Sequence, residues 1–171
     1  GGRSPILELT RAEAAGIEQA LNDLASEGER WKVWVAMRHW HPFIKDVLAE
    51  MREAGVEKTV AMVMAPHYSS MSIGAYFKRA EEAESGIELA PVNSWNLNPG
   101  YLTALHDRIA DALEKFPAEA RRDVPIIFTA HSLPERILEH GDPYPDELLA
   151  TVDALAENLP GQETHFAYQS A

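Results

Sequence analysis

Three turns that carry histidine stand directly after apolar stretches of this chain, and most of its potential chemistry sits in them. Val124-Pro-Ile-Ile-Phe-Thr-Ala130 runs into His131-Ser132. Trp31-Lys-Val-Trp-Val-Ala-Met37 runs into Arg38-His39-Trp40-His41, and Val60-Ala-Met-Val-Met64 runs into Ala65-Pro66-His67. Open α/β sheets put their ligand crevices at the carboxyl ends of strands, so side chains at these positions face the place where a substrate collects. Imidazole is the side chain best suited to trade a proton for a metal near neutral pH. His131 is the leading candidate, as a ligand for a divalent cation or as a proton acceptor; one nitrogen cannot be both at the same moment. A strand-end histidine also serves as a plain loop anchor, and the residue by itself leaves both readings open. Ser132 is placed either to hold its neighbour or to cap the loop. His39 and His41, two residues apart with no carboxylate beside them, make a poor metal pair.

The elements that must position these residues alternate. Thr10 precedes a helical pattern with Ile17, Leu21 and Leu24 on one face, ending near Gly28. Residues 31–37 predict a strand, and Pro42 suits the first turn of a helix over 43–54 that stops at Gly55. The continuous apolar run 60–64 predicts a strand buried on both faces. A helix over 73–84, a strand over 87–92 and a long helix over 99–116 follow, the last with Leu102, Leu105, Ile109 and Leu113 at helical spacing. Pro117 to Val124 is polar and broken by proline, a passage into a second unit with a buried strand over 125–130, a helix over 146–158 and a strand over 164–169. Such alternation predicts an α/β fold of parallel sheets flanked by helices, with a first domain over 1–116 and the start of a second over 117–171. Asp142, Tyr144 and Asp146 bracket Pro143 and Pro145, which predicts a rigid turn with Asp146 capping the next helix.

Composition narrows the function classes. The chain has 171 residues, 46% of them hydrophobic, enough to bury a core. A formal charge of −12 with no basic stripe argues against nucleic acid as a partner. The absence of cysteine removes disulfides, thiolate metal ligands and any iron–sulfur cluster held by this segment. No run of ~20 apolar residues could span a bilayer and no signal peptide is present, so a cytoplasmic location is the expectation.

Several blocks together resemble one family. Thr129-Ala-His-Ser-Leu-Pro-Glu-Arg136, followed by Gly141-Asp-Pro-Tyr-Pro145, resembles the ferrochelatase signature. Gly1-Gly-Arg-Ser-Pro-Ile6, Ala36-Met-Arg-His-Trp-His-Pro-Phe43, Ala65-Pro-His-Tyr-Ser-Ser70 with Tyr76 and Lys78-Arg79, and Tyr168-Gln-Ser170 resemble further family blocks in family order. A lone Ser or His match would mean little, whereas this combination is specific.

The resemblance implies a chelatase-like fold of two similar Rossmann-like domains and a lyase that inserts Fe²⁺ into a porphyrin, coproporphyrin III or protoporphyrin IX, in heme biosynthesis. The form of the His131 motif leans toward a bacterial coproporphyrin enzyme. It makes His131 the catalytic and metal-handling residue, and Ser4, Arg38, His39, Tyr76 and Ser132 contacts to the porphyrin. It implies iron as substrate metal without an organic cofactor, and peripheral membrane or heme-pathway proteins as further partners. It also implies a first strand before Gly1 and an acidic partner of His131 after Ala171. The isolated chain is then expected to be inactive and to self-associate through an uncovered sheet edge. The rival readings are a sirohydrochlorin-type cobalt or nickel chelatase, and a non-catalytic module that binds a tetrapyrrole or a metal.

Overall fold

Glycine at position 55 marks where the first well-packed helix must stop. In the computed structural model, which describes residues 4–169, α2 (Ile44–Glu53) ends at Ala54, and Gly55 takes φ +82°, a left-handed conformation that costs glycine little. The Gly55 N–H then reaches the Arg52 carbonyl and the Val56 N–H reaches that of Met51, the hydrogen bonding of a closed helix end. The chain forms two compact units, Gly1–Met64 with Tyr76–Pro91, and Ala65–Ala75 with Val92–Ala171.

The first unit holds α1 (Ile6–Leu24), α2, β1 (Lys58–Met62), the end of α3 (Ile73–Glu81) and β2 (Glu88–Val92), with β1 and β2 paired in a two-stranded sheet. Its core is the apolar face of α2. Val47, Leu48 and Met51 are buried with Ile87, and Trp34, Ile44, Val56, Ala80, Ala83 and Leu89 pack against them. The strand expected over 31–37 does not form; only an isolated bridge between Met37 and Phe43 is present. Side chains of α1 take the place of a ladder. Asn22 receives the Trp31 N–H and donates to the Trp31 carbonyl, and Glu18 accepts the Val33 N–H at 2.7 Å.

The second unit holds α4 (Pro99–Leu113), a 3₁₀ turn (Arg121–Asp123), β3 (Ile126–His131), α5 (Arg136–Glu139), α6 (Tyr144–Ala156) and β4 (Thr164–Gln169). Asn98 caps α4 by accepting the N–H groups of Gly100 and Tyr101, with Pro99 in the first turn. β3 and β4 pair in parallel from Ile126 opposite Thr164 to His131 opposite Gln169, and the crossover between them runs through α5 and α6. Leu148, Thr151 and Leu155 form the buried side of α6.

Two sequence expectations need correction. β1 and β3 are not buried on both faces: exposure alternates along each, with Val60 at 55% and Ile127 at 62%. Each described sheet has two strands. Asp146 does not cap α6 either. Pro143 occupies the cap position without a side-chain hydrogen bond, and Asp146 lies in the first turn with Glu147, where a carboxylate is still favoured by the helix dipole.

Truncating the buried face of α2 tests the packing account. Leu48→Ala should cost about 2–5 kcal/mol in urea unfolding, the usual loss for a buried leucine. Lys58→Ala breaks only an exposed ion pair with Glu88 and should leave the midpoint unchanged.

Candidate functional site: a histidine at a strand end held by a carboxylate network

His131 closes β3 with its side chain on the open face. Its main chain is held from two directions. The Ser132 N–H donates to the Gln169 carbonyl at 3.1 Å, extending the ladder one step beyond the strand. The Tyr144 hydroxyl donates to the His131 carbonyl at 3.0 Å. No described residue hydrogen-bonds the His131 ring. The turn that follows folds on itself through α5 and Ile137, whose carbonyl receives the Asp142 N–H.

Asp142 is the buried charge of this region. Its Oδ2 accepts the Ser69 hydroxyl at 3.1 Å and both the N–H and the hydroxyl of Ser70 at 2.8 Å, while its Oδ1 accepts the Tyr144 N–H at 3.1 Å. Burial opposes ionisation, but these donors outweigh it and hold the carboxyl below its ordinary range. Glu147 extends the network, its Oε2 accepting the Tyr68 N–H at 2.6 Å and the Ser94 hydroxyl at 2.8 Å. Asn96 donates to the Glu147 carbonyl at 2.9 Å.

His67 belongs to this network. Its Nε2 lies 2.9 Å from Thr151 Oγ1, whose own proton goes to the Glu147 carbonyl at 3.0 Å. Thr151 therefore accepts, and the network assigns the His67 proton to Nε2. The rings of Tyr101 and Tyr144 meet the imidazole edge-on, each at 6.4 Å. Burial holds the His67 pKa below the ordinary imidazole value, an effect partly offset by Glu147. The structure thus places His67 as a neutral bracket of the 65–75 segment.

In the first unit the Arg38 guanidinium stands 5.7 Å from the centre of the Tyr76 ring. The loop that carries Arg38 is pinched shut by the Met37 N–H on the Pro42 carbonyl and the Ile44 N–H on the Met37 carbonyl. His39 and Trp40 are exposed, Trp40 at 61%. His41 is exposed too, and its ring meets those of Trp40 and Phe43 edge-on. Ser4 is exposed, and its hydroxyl accepts the Ile6 N–H at 3.4 Å. Gly1–Arg3 of the first matched block and Ser170 of the last lie outside the described residues.

Of the expected site residues, the structure brings Arg38 to Tyr76, and His131 to Ser132 through the chain. Among the described residues no group of three or more His, Asp or Glu side chains is arranged to hold a metal. An apolar cleft of about 430 Å³, lined by Leu105, Ile109, Leu113, Phe116, Ile126 and Phe128, contains none of the expected site residues. Sequence reasoning passed over Glu147 and Thr151, and it read Asp142 only as part of a rigid turn. The available signal was the place of Asp142 beside two prolines that already make the turn rigid, which leaves its charge to be explained by other partners.

Parallel pairing across a helical crossover defines an α/β protein. A family model described as Ferrochelatase matches residues 1–171, and the chain belongs to that family. It is 40% identical to a ferrochelatase of Herpetosiphon aurantiacus over 99% of its own length and 56% of the relative's. It is also 40% identical to a coproporphyrin III ferrochelatase of Listeria innocua, and 39% identical to one of Bacillus subtilis, each over 99% of this chain and 56% of the relative. The chain spans about half the length of the curated relatives it matches.

The two groups whose pKa values are depressed, His67 and Asp142, predict how the second unit responds to acid. Both are depressed in the fold, so each adds stability that is present above its unfolded value and lost as pH falls through the lower folded one. For His67 that loss starts below pH 6.5, and for Asp142 below pH 3.8. Urea midpoints measured against pH should show both losses. His67→Gln should remove the upper one and Asp142→Asn the lower.

Proposed function

We propose that the protein is a ferrochelatase that inserts Fe²⁺ into a porphyrin, and that His131 carries the chemistry. The observation that carries this reading is the position of His131: at a strand end, on an open face, inside a family match that covers the whole chain. Metallation replaces two pyrrole N–H protons with one divalent cation, so the site must deliver a dication and remove two protons. A neutral imidazole can meet the cation or take a proton.

The porphyrin contacts are assigned to Ser4, Arg38, His39, Tyr76 and Ser132. A guanidinium beside a phenol, as in Arg38 and Tyr76, offers a cation and a hydroxyl to a carboxylate, the group that ends each porphyrin propionate. The relatives named coproporphyrin III ferrochelatase favour coproporphyrin III over protoporphyrin IX as substrate. Residues 1–116 are assigned to most of a first α/β domain and 117–171 to the start of a second. Among the described residues no helix is long and apolar enough to cross a membrane. The proposed setting is the cytoplasm, with peripheral membrane contact or heme-pathway partners to receive the product.

In the full-length protein, His131→Ala should lower iron insertion at least ~100-fold, the usual scale for loss of a general base. Porphyrin binding, read from the Soret band, should stay within a few fold. Activity close to that of the wild type would overturn the assignment. Tyr76→Phe should raise the porphyrin KM, since a charge-assisted hydrogen bond contributes roughly 1–3 kcal/mol. An unchanged KM with a lowered melting temperature would make Tyr76 structural instead.

A further inference from the structure

His131 ends its strand, yet what holds it lies on another element. Tyr144 opens α6, where the helix fixes its main chain, and its hydroxyl meets the His131 carbonyl at 3.0 Å. The Tyr144 N–H is in turn held by Asp142 Oδ1 at 3.1 Å. Asp142 is only 9% exposed, and its second oxygen is occupied by Ser69 and Ser70. A chain of contacts thus runs from the 69–70 segment through a buried carboxylate and a tyrosine to the peptide plane that carries His131. The turn between them, residues 133–141, bonds mainly within itself, as in Ile137 N–H to Pro134 O and Gly141 N–H to Leu138 O. That turn alone does not tie His131 to α6.

We infer that Tyr144 and Asp142 are positioning residues for His131, with Asp142 acting through Tyr144 to fix the direction of the imidazole at the strand end. The inference rests on the proposed role of His131. Fixing the carbonyl rather than the ring leaves both imidazole nitrogens for a metal ion or a proton. Burial raises the Tyr144 pKa, with the Tyr168 phenol adding to it, so the hydroxyl keeps its proton and donates across the neutral range. Catalytic geometry is sensitive to displacements of this kind: a reacting group misplaced by ~1 Å can lose about 100-fold in rate.

Tyr144→Phe removes one hydroxyl and keeps the ring, so the protein should fold. In the full-length protein, kcat per bound porphyrin should fall about tenfold, while porphyrin KM stays within about twofold and the melting temperature within about 2 °C. Asp142→Asn should lower both kcat and the melting temperature. The double variant should be no slower than the slower single one, because residues acting through one contact are not additive. Independently of activity, the ring signals of ¹³C-labelled histidines report the geometry. The His131 signal, assigned by its loss in His131→Ala, should shift or broaden in Tyr144→Phe while those of His39 and His106 do not. An unchanged His131 signal and kcat would overturn the positioning role, and multiplicative losses in the double variant would overturn the route through Tyr144. A wild-type protein that binds porphyrin without metallating it would overturn the proposed reaction, and the ring signals would still decide whether Tyr144 orients His131.

Discussion

A carboxylate taken out of water loses several kcal/mol of hydration, and a fold can keep it ionised only by surrounding it with donors. Asp142 is such a group: Ser69, Ser70 and Tyr144 supply two hydroxyls and two backbone N–H groups to its two oxygens. Its serine partners lie 72 and 73 residues earlier in the chain. One side chain thereby anchors the 65–75 segment, the start of α6 and, through Tyr144, the end of β3. The dependence is asymmetric. Replacing the whole cluster by apolar groups could be neutral, but removing the carboxylate alone leaves the buried Ser69 hydroxyl and the half-buried Tyr144 N–H without their acceptor, while Ser70 is exposed to water.

Glu147 and His67 follow from the same constraint. Once Asp142 fixes the 69–70 end of the segment, its other end must satisfy its own polar groups beside α6. Glu147 takes the Tyr68 N–H, and Thr151 takes the His67 proton one helical turn further on. The i and i+4 spacing of Glu147 and Thr151 puts both on one face of α6, toward the segment they hold. A neutral His67 is the form this arrangement needs. A charged imidazole there would have to be half-desolvated, with only Glu147 nearby to compensate.

Much of this was legible in the chain, and the remainder fails for identifiable reasons. β3, β4, α2, α4 and α6 were visible because propensity and periodicity act over a few residues. The stretch 31–37 has the composition of a strand, but whether it pairs depends on neighbours, and Glu18, fifteen residues upstream, takes an N–H that a ladder would have used. The apolar runs of β1 and β3 say that these strands can be covered on both faces, not that they are; Val60 and Ile127 stand open. The four-residue α5 is too short to show a period. The place of His131 at the end of β3 was legible from the apolar run before it. The partners of Asp142 were not, because the serines that hold its charge lie more than seventy residues away and no local pattern links them to it.

The contrast between Asp142 and His131 shows how a fold can separate holding from reacting. Asp142 is enclosed by donors, so its charge state is fixed over most of the pH range and it cannot exchange protons near neutrality. His131 is the reverse: its main chain is tied by Gln169 and Tyr144, but its ring lies on an open face, and no described residue hydrogen-bonds it. A ring tied by its own nitrogens would favour one protonation state and would have to break a hydrogen bond to change it. Tying the carbonyl instead fixes where the imidazole starts from and leaves its protonation to whatever arrives. The metal- and proton-handling role proposed for His131 calls for that combination, and the buried carboxylate would serve it by holding the electrostatic cost of rigidity one contact away from the ring.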